Sequence, residues 1–543
     1  MYKTSFNFFF FKTPFLVGML LSLCLLFFAF LIFYTLYTFD DSTIFTQIDK
    51  RVWGLLRFTL YQAFLSMLLS LGVGGLLAWA LAHQSAFRGR SILVAVFSSS
   101  LVLPTLIVVF GIIGIFGRHG YLNQLSLFLF DDSFGSYLYG LGGILLAHVY
   151  LNASFASRAL LHAFESIPKE KYKLAKSLNF TVFQRFIYLE YPAIKSTLLP
   201  IGATIFLLCF TSFAVVLLLG GSPSYNTLEV AIYEAVKLDF DIAMALKLAL
   251  IQLGISAILV VLSSRFKIDT SNLKTSHTQI PWKEYRSIQW IQWAIIMIFA
   301  LFFISPLVVI IIDGLGADFM RIMAEPLFIK SLFTSLSLAL VSSLLTVCIA
   351  LLLSNTLREL SLKTRLGNKP FASIVQGIVA FSGNLYLAIP SLVLGLGFFL
   401  IAQSYESPMW IWSTIAILTA NILMSLPFAL AILSPAMQHT AQRYDKVVFS
   451  LGLTPWQRWV YVEYPYIKSA LGYILALAFC FSLGDLGIIA LFGSDTFTTL
   501  PWYLYQLMGS YRTSDASGVA LILLVIVLFV FVSVPLLFRS KHA

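Results

Sequence analysis

Two segments of the chain repeat the same set of basic, acidic, aromatic and proline side chains. Residues 177–198 read SLNFTVFQRFIYLEYPAIKSTL and residues 450–471 read SLGLTPWQRWVYVEYPYIKSAL. The second copy begins 273 positions after the first, and 13 of the 22 aligned residues are identical. Each copy is amphipathic, although the flanking chain is almost wholly apolar. Such side chains suit noncovalent docking, so we interpret the two segments as equivalent binding elements.

Each repeated segment is predicted to form a short helix, a turn and a second helix. Asn179 and Gly452 occupy the turn, and both residue types tolerate a positive φ angle. The aromatic residues that follow would be apolar anchors, and Arg185 and Arg458 would form a basic rim, a composition favoured at protein interfaces. The alternative is an amphipathic helix that lies on anionic lipid. Lipid binding does not explain why both copies contain the EYPxIKS motif, so we favour protein docking.

The motifs of common enzymes and metal sites are absent from the sequence. There is no GxxxxGK[ST] phosphate loop, and no Gly-Lys dipeptide at all, so the chain is not expected to bind ATP through a P-loop. Neither HExxH nor GxSxG occurs, and the seven histidines have no metal-ligand spacing. The four cysteines lie in apolar runs without CxxC spacing. We predict no catalytic residue, no metal site and no cofactor held by this chain, and therefore no enzyme.

The composition indicates an integral membrane protein. Of the 543 residues, 59% are hydrophobic and 11% are charged, and the mean hydropathy is +0.91. A soluble domain carries about 25% charged residues, so the lipid bilayer is the expected solvent. The net charge of +11 is spread through short loops between apolar runs, a pattern that belongs to membrane topology. Nucleic acid is excluded as a partner on this ground.

Apolar runs of about 20 residues predict an all-α protein with about twelve spans. The polar stretch between residues 265 and 288 divides the chain into two halves, 1–264 and 289–543, with six spans each. Similar short sequences occur at matched places in the two halves. The halves are therefore predicted to be parallel repeats with a pathway at their pseudo-twofold interface. The spans are placed at 15–38, 54–82, 92–116, 138–163, 197–219, 242–264, 289–312, 331–354, 373–402, 410–433, 470–492 and 516–538.

The distribution of Lys and Arg predicts the orientation in the membrane. If the N-terminus is cytoplasmic, 26 of the 35 basic residues lie in cytoplasmic segments, as the positive-inside rule requires. Both repeated segments then lie in the cytoplasm, and the C-terminus does too. The expected location is a bacterial inner membrane.

Polar and proline residues inside the spans are the candidates for a translocation pathway. Asp485 lies within a span, where an ionisable group is expensive and points to function; the first half has Ser212 at that position. Pro104 and Pro390 occupy matched places and are predicted to break or kink their helices. His148 and Asn152 share a helix face; they either line the pathway or form an interhelical hydrogen bond, and we favour the second. The pathway candidates are Asp485, Ser212, Pro104, Pro390, His148 and Asn152.

The repeated segments resemble the EAA loop of type I ABC importer permeases. In that family, Glu-Ala-Ala, then Gly, then Leu-Pro mark the helix that enters a cleft of the ATPase subunit. The resemblance implies that fold for the chain. The matching residues are Glu165, Ala175, Asn179 and Pro192 in the first copy, and Gly452 and Pro465 in the second.

The match to the EAA pattern is incomplete. Asn179 replaces the usual glycine, Gln438 stands where Glu165 does, and Tyr191 and Tyr464 precede the prolines in place of leucine. The resemblance implies a cytoplasmic ATPase homodimer that uses ATP, and a periplasmic substrate-binding protein. The residues assigned to ATPase docking are Glu165, Ala175, Asn179, Arg185, Glu190, Pro192, Gly452, Arg458, Glu463 and Pro465.

The substrate is also predicted by resemblance. A two-copy chain of this length resembles the iron and thiamine importers, and residues 212–235 and 482–512 are most similar to permeases for thiamine and thiamine pyrophosphate. Thiamine and its phosphates are therefore the expected substrates, with Asp485 either facing the thiazolium cation or serving helix packing. The alternatives are ferric iron, sulphate or a polyamine, or an ion-coupled secondary carrier that works without an ATPase.

Overall fold

The computed structural model describes most of the chain: residues 4–38, 49–85, 87–98, 100, 102–132, 135, 137–221, 224–264, 282, 284–365, 370–403, 408–494 and 497–539. Most of the predicted connection 265–288 lies outside these residues. Within them, every regular element is a helix. Eleven helices are long and apolar enough to cross a membrane, or twelve if one bent pair counts as a single span, which confirms the predicted all-α membrane fold.

Among its described residues, the first half has twelve α-helices. Its long helices α2, α6 and α9 pack together as a bundle. Small residues allow close contact: a Cβ added to Gly74 of α2 would lie 2.6 Å from the carbonyl oxygen of Ala153 on α6. The helices are α1 (Thr4–Thr38), α2 (Lys50–His83), α3 (Arg90–Ser98), α4 (Thr105–Phe116), α5 (Tyr121–Phe130), α6 (Leu141–Glu165), α7 (Lys169–Ser177), α8 (Val182–Arg185), α9 (Tyr191–Phe210), α10 (Ala214–Leu219), α11 (Leu228–Lys237) and α12 (Ile242–Ser264).

The second half repeats most of this plan. The counterparts of α6 and α7 form one 42-residue helix, α18, because the first half has Pro168 at the boundary and a proline disfavours helix in the residue before it. The helices are α13 (Arg286–Leu315), α14 (Phe319–Ala324), α15 (Pro326–Arg365), α16 (Pro370–Asn384), α17 (Ser391–Gln403), α18 (Met409–Ser450), α19 (Pro455–Arg458), α20 (Tyr464–Gly484), α21 (Gly487–Phe492), α22 (Leu500–Gly509) and α23 (Thr513–Leu537).

Four of the predicted spans are broken, at two matched pairs of places. The span at 92–116 divides into α3 and α4 before Thr105, directly after Pro104, and the span at 373–402 bends by 90° between α16 and α17, next to Pro390. The breaks at the two prolines agree with the prediction. The spans at 197–219 and 470–492 are also interrupted, between α9 and α10 and between α20 and α21, where no break was predicted.

The first helix of each half packs against the other half. From α1, the Ser22 hydroxyl lies 2.8 Å from the Ser382 hydroxyl, and the Leu25 carbonyl accepts a hydrogen bond from Tyr386 of the second half. From α13, the Phe303 carbonyl accepts a hydrogen bond from Tyr150 on α6. The halves defined by the sequence are thus interlocked in space. Below, the side of the molecule that carries the repeated segments is called the loop side, and the opposite side is called the far side.

Candidate functional site

Both repeated segments form a helix, a turn and a second helix, as predicted. We call residues 165–195 loop 1 and residues 438–468 loop 2. The turns contain Asn179 and Gly452, whose φ angles are 51° and 58°. In each turn the next amide reaches back five residues, Phe180 to the Ala175 carbonyl and Leu453 to the Val448 carbonyl. This pattern is the Schellman motif, which ends a helix at a residue of positive φ.

The helix after each turn begins with the same capping box. The Thr181 hydroxyl accepts a hydrogen bond from the Gln184 amide, and the Gln184 side chain accepts one from the Thr181 amide. Thr454 and Gln457 form the same pair of bonds in loop 2. The box satisfies two backbone donors that a helix start leaves free, which explains why Thr and Gln occur in both copies.

A wide turn then brings the repeated Arg and Glu together. Residues 186–190 and 459–463 are π-type turns, in which the amide of the next residue bonds five positions back. Pro192 cannot donate to the carbonyl four residues earlier, which favours the wider turn. Because a π-type turn brings residues five positions apart next to each other, the side chains of Arg185 and Glu190 are neighbours.

Arg185 is completely buried between two carboxylates. Its Nε lies 2.8 Å from Oε1 of Glu190, and its Nη2 lies 2.6 Å from Oε1 of Glu284. Nε2 of His83, at the end of α2, lies 3.1 Å and 3.4 Å from the same two oxygens. The Trp282 ring lies 5.0 Å from the guanidinium carbon. Trp282 and Glu284 lie in the connection between the halves, directly before α13. This connection therefore supports loop 1 through its contacts with Arg185.

Loop 2 is supported by a different ionic cluster. Arg358, near the end of α15, is buried and forms ion pairs with both Asp445 and Glu463. Nε of Arg458 lies 2.6 Å from Oε1 of Glu463. All four residues belong to the second half, whereas the cluster around Arg185 joins the first half to the connection between the halves.

The expected basic rim is therefore wrong. Arg185 is 0% exposed, and the side chain of Arg458 is 12% exposed. Each guanidinium turns inward because the π-type turn presents Glu190 or Glu463 to it, and a paired buried charge is far less costly than an unpaired one. These arginines and glutamates hold the loops in shape from within.

The surface of both loops is apolar and aromatic at equivalent positions. Phe183 and Trp456, each directly before the repeated Gln-Arg pair, are 71% and 72% exposed. Tyr188 and Tyr461 are exposed to a similar degree. Large exposed apolar side chains on a rigid support are typical of a binding surface.

The remaining docking candidates lie at the edges of the loops. Glu165 ends α6 and pairs with Arg90 at 2.7 Å. Ala175 is a buried residue of α7, and Pro192 and Pro465 lie in the first turns of α9 and α20. None of these candidates forms part of the exposed aromatic surface.

Asp485 and Ser212 lie at matched helix breaks. Asp485 separates α20 from α21, and Ser212 lies between α9 and α10. The Gly487 amide donates to Oδ1 of Asp485 at 3.1 Å. A Cβ added to Gly484 would lie 2.9 Å from the Pro104 ring, so the first half contacts the second beside Asp485. Irregular backbone at membrane depth is tolerated only where protein or a water-filled cavity surrounds it, which makes this junction the candidate pathway.

The other pathway candidates separate into two groups. Pro390 precedes α17, whose Ser391 lies against Gly487, two residues from Asp485. His148 and Asn152 instead serve packing within the first half: His148 Nδ1 lies 2.8 Å from the Ser66 hydroxyl of α2, and Asn152 Nδ2 lies 3.4 Å from Sγ of Cys209 on α9. These contacts favour the interhelical alternative.

Three residues near the junction were missed by sequence reasoning. Tyr233 of α11 and Tyr505 of α22 hydrogen bond to each other through their side chains. They occupy equivalent places in TLEVAIYEA and TLPWYLYQL, so alignment of the halves could have identified them. Glu229 of α11 is fully buried and accepts a hydrogen bond from Gln252 at 2.9 Å; the second half has Pro501 there and offered no signal.

An ionic cluster joins the ends of three helices on the far side. Nη2 of Arg512 lies 2.9 Å from Oε2 of Glu325, and its Nε lies 2.8 Å from Oδ2 of Asp515. The Tyr503 hydroxyl also donates to Glu325, at 2.7 Å. The hydrogen bonds from Arg512 lower the pKa of Glu325 below its usual range, against the opposing effect of burial. The cluster fixes the segment before α23.

Comparison with known proteins places this architecture in a family. The model of a "Binding-protein-dependent transport system inner membrane component" matches residues 70–268 and 368–540. The chain is similar to the "Thiamine transport system permease protein ThiP" of Escherichia coli (strain K12), with 38% identity over 89% of this chain and 88% of the relative. The proteins of the same name from Haemophilus influenzae and Brucella abortus (strain 2308) are 38% and 37% identical over 89% and 88% of this chain, and 89% and 86% of their own lengths. The chain therefore belongs to the family of inner membrane components of binding-protein-dependent transport systems.

Proposed function

We propose that the chain is the membrane-spanning permease of an ABC importer that carries thiamine and its phosphates inward. ATPase subunits dock on loops 1 and 2. The observation that carries this proposal is the matched pair of exposed aromatic surfaces, each held rigid by buried ion pairs. Two nearly identical loops suit two copies of one subunit, so the partner is a homodimer. ATP belongs to that partner, and this chain holds no cofactor.

The loop side is the cytoplasmic side in this proposal. The excess of Lys and Arg in the segments of that side supports this orientation, in which both termini would be cytoplasmic. A periplasmic substrate-binding protein then docks on the far side, near residues 220–240 and 493–515. The rigid ionic cluster of Arg512 and Glu325 supports a docking face there.

Thiamine is proposed as substrate because the relatives at 37–38% identity carry thiamine transport in their names. The similarity covers 86–89% of each chain. Ferric iron, sulphate and polyamines remain the alternatives within the same class of importer.

The helices after the loops give the proposal a mechanical basis. Helix α9 runs without interruption from Tyr191 in loop 1 to Phe210, next to the break at Ser212. Helix α20 runs in the same way from Tyr464 to the break at Asp485. Each is about 30 Å long at 1.5 Å per residue. Closure of the ATPase dimer would move the loops together, and these helices would convey the motion to the candidate pathway. ATP and substrate must favour different states for such coupling to work.

ATP-dependent uptake of labelled thiamine tests the proposal. Proteoliposomes would contain the chain with its co-purified ATPase, and the binding protein would be supplied outside. Truncation of a central aromatic anchor costs about 2 kcal/mol or more, so Phe183→Ala with Trp456→Ala should weaken ATPase binding at least about 30-fold. Phe128→Ala on α5, an exposed aromatic residue outside the loops, should leave it unchanged.

Each alternative has its own result in this assay. If an ATPase binds but thiamine is not taken up, the chain is still an importer permease, and its substrate is iron, sulphate or a polyamine. If no ATPase binds, the docking interpretation is wrong, and the ion-coupled carrier takes its place.

A further inference from the structure

Glu229 is a buried carboxylate that the transport scheme above does not use. It lies in the first turn of α11, which packs on α12 and also contacts α17 and α21 of the second half. Its Oε1 accepts a hydrogen bond from Gln252, whereas Oε2 has no hydrogen-bond partner among the described residues. A fully buried carboxylate with an unpaired oxygen is costly unless something else binds it.

Asp485 belongs to the other half and lies two residues before α21, a helix that α11 contacts. The two carboxylates are close enough to interact electrostatically, and Oδ2 of Asp485 also lacks a hydrogen-bond partner in the described part of the chain. Two like charges in a low-dielectric setting repel each other, so both cannot be ionised cheaply. A cation between them removes the repulsion and pairs both free oxygens.

Aromatic residues lie on α11 and at the neighbouring helix break. Tyr233 lies one helical turn after Glu229, on the same face of α11, and its hydroxyl meets that of Tyr505 across the two halves. The ring of Phe213, at the break that matches Asp485, packs edge-on against Tyr233 with 5.5 Å between centroids. Ring faces attract cations, and they also stack on flat ligands.

We infer that Glu229 and Asp485 form a binding site for a planar aromatic cation at the junction of the two halves. This inference rests on the proposed function, in which that cation is the thiazolium of thiamine. The first half supplies Glu229 and the second half supplies Asp485, so the occupied site joins the halves. Movement of the halves apart would separate the two carboxylates and release the cation.

Equilibrium binding of labelled thiamine to the purified full-length permease tests the site without requiring transport. Hydrogen bonds to charged groups predict that Glu229→Gln and Asp485→Asn each weaken binding about 10- to 100-fold. Asp49→Asn removes an exposed far-side carboxylate directly before α2 and should have no effect. Glu229→Asp keeps the charge and should restore most of the affinity lost in Glu229→Gln, which a purely structural role would not do.

Competition binding distinguishes recognition of the ligand's charge from recognition of its shape. A neutral thiophene analogue, with carbon in place of the thiazolium nitrogen, should compete at least tenfold more weakly than thiamine on the wild type. On the Glu229→Gln, Asp485→Asn double variant, the two should compete within about twofold of each other.

The results separate the site from the proposed function. Absence of thiamine binding to the wild type, or unchanged binding in both neutralised variants, would overturn the site even if uptake is normal. Wild-type binding that depends on both carboxylates, together with no uptake in proteoliposomes, would keep the site and overturn the proposed transport of thiamine.

Discussion

Replacement of Arg185 by methionine should expose the difference between the two loops. Arg185→Met leaves Glu190 and Glu284 buried, with their oxygens directed at a site that has lost its guanidinium. In loop 2, Arg458→Met leaves Glu463 still paired with Arg358. The two substitutions are equivalent in sequence but differ in what they leave unpaired.

The expected magnitudes follow from the burial and the distances. Opposite charges about 4 Å apart attract by about 4 kcal/mol at an effective dielectric constant of about 20, and removal of one partner of a buried pair costs about 3–5 kcal/mol. We expect a loss in the upper part of that range for Arg185→Met, because two buried carboxylates lose the guanidinium and keep only the imidazole of His83 beside them. For Arg458→Met we expect about 1–2 kcal/mol, since Glu463 keeps Arg358.

A double-mutant cycle measures the link between Arg185 and Glu284. Replacement of both members of a buried pair costs much less than removal of one, so Arg185→Met with Glu284→Gln should be more stable than Arg185→Met alone. The assay is the free energy of unfolding in detergent, with ATPase binding as a second readout. Additive losses in the cycle, or equal losses for Arg185→Met and Arg458→Met, would refute the proposed support of loop 1 by the connection between the halves.

Three further predictions concern backbone, packing and pH. Gly452→Ala should destabilise loop 2 by about 1–2 kcal/mol, because φ is 58° while the space around the residue is open; normal ATPase binding at normal stability would contradict this. Gly74→Val should cost at least about 1–3 kcal/mol in thermal unfolding through its clash with α6, whereas Gly72→Val, with no atom within 4 Å of a Cβ, should be tolerated. The lowered pKa of Glu325 means that its pairing with Arg512 stabilises the protein above about pH 4.3, the unfolded value, and is lost as pH falls through the folded value. Glu325→Gln should therefore flatten the acid limb of a stability–pH profile, and an unchanged limb would contradict the pairing.

Local patterns made several features of the protein predictable. Long apolar runs predict helices because a segment that crosses a bilayer must have its backbone groups hydrogen bonded, and a helix satisfies them within the segment. The turns at Asn179 and Gly452 follow from the cost of a positive φ, which few residue types tolerate, and the breaks at Pro104 and Pro390 follow from the missing N–H group. Each of these effects acts within a few residues, so it can be recognised without knowledge of the partner helix.

The tertiary structure decided which side chains meet. Arg185 was expected at the surface, but it is buried against Glu284, 99 positions away. Glu229 and Asp485 are 256 positions apart and lie on different halves; no local pattern links them. Ion pairs and shared sites depend on how helices pack and cross, and the first helix of each half crosses to the other. The sequence alone therefore determined the membrane class, the duplication and the form of the two loops, whereas packing between distant helices decided what holds the loops rigid and what surrounds the candidate pathway.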